Sequence, residues 1–352
     1  MRLYLWERTI YRKTLQTFFL FLTLFYLFYS FVDYSTHIND FLKENRIQLI
    51  DLVSYYGYQF IKRAELLIPL ALLIATIKQL TGMNLRNELL ALQASGLSFH
   101  KICRPILCIA SCAVIFSALS AQYLIPTAHS YIDKFSDEHL HTSHNKEASI
   151  HVIHLKDDSK LLYQTIRDGQ FFDLFWVRST DDIFRIKYLT CDPINPIGTY
   201  VDHLERNDEG MLIKTESFER LEFKGIAWDK KMPRRGYIAT ETRSIQELFS
   251  LLAKKTNSYS HNDLLSQLLF KLTMPFFSLL VVIAISPFCV KSSRSLPLFM
   301  LYAIALFSFI AFFTFMDASL ILGENSVLSP FYAIVLPFGS ISLLFLWRWV
   351  RC

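Results

Sequence analysis

The chain has 352 residues, is 52% hydrophobic and 15% aromatic, and carries a formal net charge of +5. That apolar share exceeds what an ordinary soluble domain carries and directs the reading to a membrane protein. The small positive excess fits a membrane-anchoring pattern and asks for no nucleic acid, while six scattered cysteines exclude a disulfide framework.

In chain order, Arg2, Arg8, Arg12 and Lys13 precede a first apolar stretch from Thr14 to Val32. No small-x-small site follows it, so it reads as a retained anchor and not a cleaved leader. A second stretch, Leu66 to Ile77, has only 12 uncharged residues and is bracketed by Lys62, Arg63 and Glu65 before it and Lys78 after it. It spans if those side chains snorkel toward the interfaces. Next comes a short polar-capped helix, about residues 84–97. Asn84 is positioned to cap its start, Leu89 and Leu92 share a face at i, i+3, and Gly96 supplies the stop before Ser98 opens the following helix. Too short to own a core, this helix suits docking into a groove on a soluble partner.

Pro105 to Ile132 forms the third span, and Leu272 to Val290, Ser295 to Met316 and Asn325 to Trp347 form the fourth to sixth. Apart from the second, each has at least 19 uncharged residues, enough to cross a hydrocarbon core of about 30 Å. Between spans three and four, residues 133–260 change character. Seven runs of β composition (148–155, 160–166, 171–177, 183–189, 199–204, 211–215 and 218–226) alternate with turn signals such as Asp192-Pro193-Ile194-Asn195-Pro196. Regular spacing without helices predicts a sandwich, jelly roll or barrel. The fold expected is an α-helical membrane protein of six transmembrane helices with an inserted all-β, jelly-roll-like domain. Its divisions are residues 1–132, 133–260 and 261–352.

Cations set the orientation. They gather before span one, around the connection from span two to three (Lys78, Arg86, Lys101, Arg104), after span four (Lys291, Arg294) and after span six (Arg348, Arg351), whereas the connection after span five has Asp317 and Glu324 alone. The positive-inside rule then places both termini and the short helix in the cytoplasm and the β insert outside.

Chemistry is sparse. His139, His141, His144, His151 and His154 could ligate a metal, but no cysteine or carboxylate pair completes a site, so they read as a solvated linker. No phosphate loop, GxSxG or HExxH occurs. The chain therefore reads as non-enzymatic and free of cofactors. The uncharged spans also disfavour an ion-coupled carrier, which places carboxylates near the midplane.

Three spans, a β insert, three more spans and the segment Asn87-Glu88-Leu89-Leu90-Ala91-Leu92-Gln93-Ala94-Ser95-Gly96-Leu97-Ser98 resemble the LptF/LptG permeases of lipopolysaccharide export over essentially the whole chain. Leu67-Ile68-Pro69-Leu70, Lys271 with Pro275, Leu328-Ser329-Pro330 and Val335-Leu336-Pro337 agree with it, and Phe31-Val32-Asp33 with Phe315-Met316-Asp317 lean toward the LptG branch. The resemblance implies a permease subunit of a Gram-negative inner-membrane exporter powered by a separate, LptB-like ATPase dimer. It further implies a second LptF/LptG-type permease, an LptC- or LptA-like β-domain partner, and lipopolysaccharide as cargo. Under it, Arg86, Glu88, Leu89, Leu92 and Gly96 serve coupling to the ATPase. Lys43, Arg46, Lys62 and Arg63 become lipid-phosphate contacts, and Leu162, Phe172, Phe175 and Leu221 line an acyl-chain path. Two alternatives are a mechanotransmission permease acting on another lipid or a lipoprotein, which usually has four spans and a larger exported domain, and a lipid-modifying enzyme. The enzyme would have only Glu65, Asp317 and the linker histidines to work with.

Overall fold

The structure, a computed structural model, describes residues 4–43, 49–139, 151–155, 159–167, 170–179, 181–190, 196–207, 211–223, 240–253, 261–291 and 298–351. The chain divides into two compact units. One is made of Met1–His141, Thr242–Phe249 and Leu265–Cys352, the other of Thr142–Glu241 and Ser250–Leu264.

Helices build the first unit. α1 (Leu5–Lys43) and α2 (Leu49–Leu85) have 39 and 37 residues. At 1.5 Å per residue both exceed the roughly 30 Å of a hydrocarbon core. After α3 (Glu88–Ala94), α4 (Phe99–Leu119) continues through a π turn at Ser120–Leu124 into α5 (Ile125–His139). Beyond the insert come α6 (Ile245–Ala253), α7 (His261–Thr273), α8 (Phe277–Lys291), α9 (Leu298–Glu324) and α10 (Leu336–Val350). Departures from α geometry fall at prolines. Pro126 and Pro337 closely follow the π turns Ser120–Leu124 and Phe331–Val335, and Pro275 lies in the 3-10 turn Met274–Phe276 between α7 and α8. A proline cannot donate to the carbonyl four residues back and its ring crowds that carbonyl, so the ladder is reset around it.

Five helical stretches are long and apolar enough to cross a membrane: Leu5–Ile38, Phe99–Ile132, His261–Val290, Leu298–Glu324 and Phe331–Val350. Most boundaries differ from the sequence reading, which trimmed spans at the first and last uncharged residue. The stretch expected as span four begins at His261 and the one expected as span five runs on to Glu324, so Lys271 and Asp317 lie inside them. α2 has the length, but Lys62, Arg63, Glu65 and Lys78 interrupt it. It is nonetheless enclosed: residues 71–77 are all buried, and α8 packs along them. Ala71 and Ala75, one turn apart, let the two backbones approach closely.

The second unit is built on an antiparallel sheet in which the strands are neighbours in chain order: β1 (His151–His154), β2 (Lys160–Arg167), β3 (Gln170–Val177), β4 (Asp182–Thr190), β5 (Ile197–Arg206) and β6 (Leu212–Glu222). Among the described residues the topology is a meander, without the crossovers of a jelly roll. The runs 211–215 and 218–226, expected as two strands, merge into β6. No turn separates them, because a register shift at His203/Leu204 absorbs the mismatch and Asp202 accepts hydrogen bonds from Lys214 (2.7 Å) and Ser217 (2.7 Å). The Lys214 contact, then that of Ser217, holds the Asp202 carboxyl below its usual range.

Leu161, Tyr163, Phe171, Leu174, Trp176, Ile186, Leu189 and Val201 form the sheet's buried face. Strict alternation breaks along one row across it. Asp173 on β3 (φ 47°) and Tyr200 on β5 (φ 55°) are left-handed, and Lys187 of β4 lies between them in register. Phe171 and Leu174 therefore face the same side although three residues apart, as do Leu189 and Ile186. Within the sheet the backbone is packed closely at Gly198. A Cβ there would come within 2.7 Å of Phe223 and 3.0 Å of both Ile186 and Val201. Gly198→Ala is expected to overpack this core by about 1–3 kcal/mol, seen as earlier proteolysis of the β unit on heating full-length protein. An unchanged cleavage profile would show that these side chains yield freely.

Candidate coupling and lipid-contact sites

α3 is pinned at both ends. The chain leaves α2 at Leu85 and reverses at Asn87, which is left-handed (φ 56°) and whose carbonyl receives the first bond of α3, from Ala91 N–H at 3.0 Å. At the other end Leu97 N–H bonds the Leu92 carbonyl (3.2 Å) and Gly96 N–H the Gln93 carbonyl (2.9 Å), with Gly96 at φ 89°. This is a Schellman stop, which glycine adopts without a Cβ penalty. Asn84, expected as the cap, does something else: α2 continues past it, and its side-chain amide donates to the carbonyls of Cys289 (3.2 Å) and Val290 (3.0 Å) at the end of α8. The root of α3 is thereby tied to the bundle's central helix.

The apolar pair on α3 also points otherwise than expected. Leu89 is 2% exposed within the bundle core and partly buried Leu92 packs beside it, so both hold α3 to its own chain. A seven-residue helix has no core of its own, so Leu89 and Leu92 turn to the nearest apolar surface, which is the bundle. The outward face is Leu90, Ala91, Gln93 and Ala94. At its start Arg86 Nε lies 3.2 Å from Glu88 Oε1 and donates to the Gly82 carbonyl (3.1 Å). Both partners of this ion pair are well exposed, so it contributes little to stability and stays open to exchange with a partner's charges. The same end of the bundle gathers Phe99 and His100 against Trp349, whose carbonyl lies 3.0 Å from His100 Nε2.

Of the four phosphate candidates, the structure brings together Lys62 and Arg63 as consecutive residues of α2. Lys62 is half-buried, and Arg63 is exposed with its guanidinium 5.0 Å from the Tyr29 ring. One to two turns earlier on α2, Tyr58 and Tyr55 pack on Tyr131 (4.4 Å) and Phe135 (4.7 Å) of α5, the aromatic composition of a membrane interface. Lys43 ends α1, but its side chain, like Arg46, lies outside the described residues. So do the side chains of the five clustered histidines.

The acyl-path candidates divide. Leu221 packs against the sheet's buried cluster. Leu162 lies between buried Leu161 and Tyr163, and Phe175 between buried Leu174 and Trp176, so both project from the opposite face, where they are register partners. Phe172 joins that face, its ring tilted against Tyr188 at 5.4 Å. The run Leu161-Leu162-Tyr163 is apolar on both sides, so composition alone left its parity undecided.

Sequence reasoning missed a polar tie among three helices of the bundle. Lys271 of α7 is 8% exposed, donates to the Arg243 carbonyl at 2.5 Å, and is the cationic neighbour of Glu65 on α2, with Asp317 of α9 as the other charge there. One turn up α7, Gln267 bonds Glu324 at 2.5 Å, and buried Ser266 abuts Gly323, where a Cβ would meet its Oγ at 2.6 Å. The signal lay in Lys271, which only a start at His261 puts inside a helix.

Membrane-length helices interrupted by an antiparallel β unit define a multi-pass membrane protein with an inserted β domain. The chain belongs to the family of the lipopolysaccharide export system permease LptF/LptG, which it matches over residues 8–351. No curated protein matches the chain closely enough for comparison. Membership makes it an inner-membrane transport component for lipopolysaccharide export.

Proposed function

We propose that this chain is the permease subunit of an ABC-type exporter, extracting lipopolysaccharide from the inner membrane with energy from a separate ATPase. The family match over residues 8–351 carries the reading. The cation asymmetry supports cytoplasmic termini and a periplasmic β unit. In this arrangement α3 is the coupling element. Its face of Leu90, Ala91, Gln93 and Ala94 enters a cleft on the ATPase, Glu88 exchanges Arg86 for a cation of the partner, and the Asn84 amide passes the displacement to α8. A second permease of the family completes the cavity. Lys62 and Arg63 meet the lipid's phosphates, and the β unit extends into an LptC- or LptA-like domain, with Leu221 on the face that receives acyl chains.

Glu88→Lys puts a cation at the positive end of a helix dipole and beside Arg86, so it opposes the partner's charge as well. The expected outcome is a chain inserted at normal levels, with copurified ATPase that still hydrolyses ATP and export that is lost. Full export by this variant would overturn α3 as the coupling element.

A further inference from the structure

Between α8, α9 and α10, with Leu73 of α2 at its floor, lies a cavity of about 450 Å³. Ser308 is the one hydroxyl among its otherwise apolar lining residues, so water would find few partners there. It is elongated along the helices. Its lining runs from Phe288 to Phe277 on α8 and from Leu301 to Phe312 on α9, eleven residue steps each, or roughly 16 Å of rise. Half of a hydrocarbon core is about 15 Å. The inner end is closed by aromatic rings, with Phe277 5.1 Å from both Phe309 and Phe312. The outer end coincides with the end of α8 and the start of α9, where the half-buried Arg348 guanidinium sits 3.9 Å above Phe288. Arg348 forms no ion pair among the described residues. One turn on, Arg351 stacks at 3.8 Å on exposed Trp347, an aromatic of the kind that marks the headgroup level.

An apolar slot one leaflet deep, blind at its inner end and with an uncompensated cation at its mouth, matches one molecule type in a bilayer. We propose that it holds an anionic glycerophospholipid, with one acyl chain in the cavity and the phosphate at Arg348. The charge complementarity selects the headgroup, and the depth selects a chain of that leaflet. Assigning the cytoplasmic leaflet rests on the orientation proposed above; the site itself does not. Such a resident lipid would be separate from the exported one and would fill a void between α8 and α9 that otherwise leaves ring faces without contacts.

The test uses full-length protein in nanodiscs containing phosphatidylglycerol and phosphatidylethanolamine, followed by native mass spectrometry of the retained lipid. Wild type is expected to keep phosphatidylglycerol. Arg348→Gln should lower the ratio of anionic to zwitterionic lipid by roughly fivefold, the effect of one interfacial cation. Ala284→Trp, which fills the slot, should lose both lipids. Independently of any variant, phosphatidylglycerol with a photoreactive acyl chain should label residues 301–312 and 341–345 of wild type. Equal retention of both lipids unaffected by Arg348→Gln overturns the headgroup assignment. Labelling confined to other helices overturns the site, as does stoichiometric displacement of phosphatidylglycerol by lipopolysaccharide, which would make the slot part of the export path. Protection of the slot by a second copy of the chain would likewise overturn it.

Discussion

Replacing Lys271 with methionine is expected to destabilise the helical unit by about 1–3 kcal/mol, the cost of leaving the Arg243 carbonyl without its donor beside two half-buried carboxylates. Lys271 donates to the Arg243 carbonyl and is the cation facing Glu65, with Asp317 nearby. Without it, two carboxylates from α2 and α9 confront each other and a carbonyl loses its donor. Methionine preserves length and apolar volume, so the loss reports charge and hydrogen bonding and not a cavity. Adding Glu65→Gln to Lys271→Met should recover part of the stability, since it removes the carboxylate left uncompensated. The measurement is denaturant-driven unfolding of purified protein in lipid. A change in Lys271→Met under about 1 kcal/mol, the range of an exposed pair, would show that water reaches the cluster and screens it.

How far the sequence predicts this architecture depends on which physical signal carries each element. Apolar length alone locates the five helical stretches that can cross a membrane, because a run of 19 uncharged residues has few other uses. α2 is harder, since its charges break the run, and only the balance of cations at the two sides keeps it in the count. Helix ends are misread for the same reason: a span trimmed at its first charge excludes Lys271 and Asp317, yet helices tolerate charges that meet one another inside a bundle. The short helix shows a different limit. Spacing places Leu89 and Leu92 on one face, but a face does not say which surface it meets, and the nearest one is the chain's own bundle. Asn84 is a good cap by residue type, and its true role needs the end of α8, some 200 residues away, which no local pattern reveals.

The β unit is the sharper case. Its strands are legible from composition and turns, but parity depends on the row through Asp173, Lys187 and Tyr200. Two non-glycine residues at positive φ on either side of a central strand are not a sequence signal. They shift the pleat so that three-residue spacings replace alternation, which brings Phe172 and Phe175 together on the face opposite the buried cluster.

That parity makes Phe171 and Phe172, adjacent and chemically identical, respond very differently to truncation. Phe171 is fully enclosed, packs edge-on against Tyr163 at 4.8 Å, and pairs in register with Ile166 and Leu189. Its removal leaves a cavity that flanking strands cannot close without breaking their ladder, and Phe171→Ala should cost about 3–5 kcal/mol. Phe172 projects from the other face and loses chiefly its ring contact with Tyr188, so Phe172→Ala should cost about 1 kcal/mol. Hydrogen exchange on the full-length protein separates the two. Phe171→Ala should raise exchange across β2 to β5 while the helices keep their protection, whereas Phe172→Ala should leave protection nearly intact. Equal loss in both variants would mean that the left-handed row does not shift the pleat and that both faces of the sheet are covered.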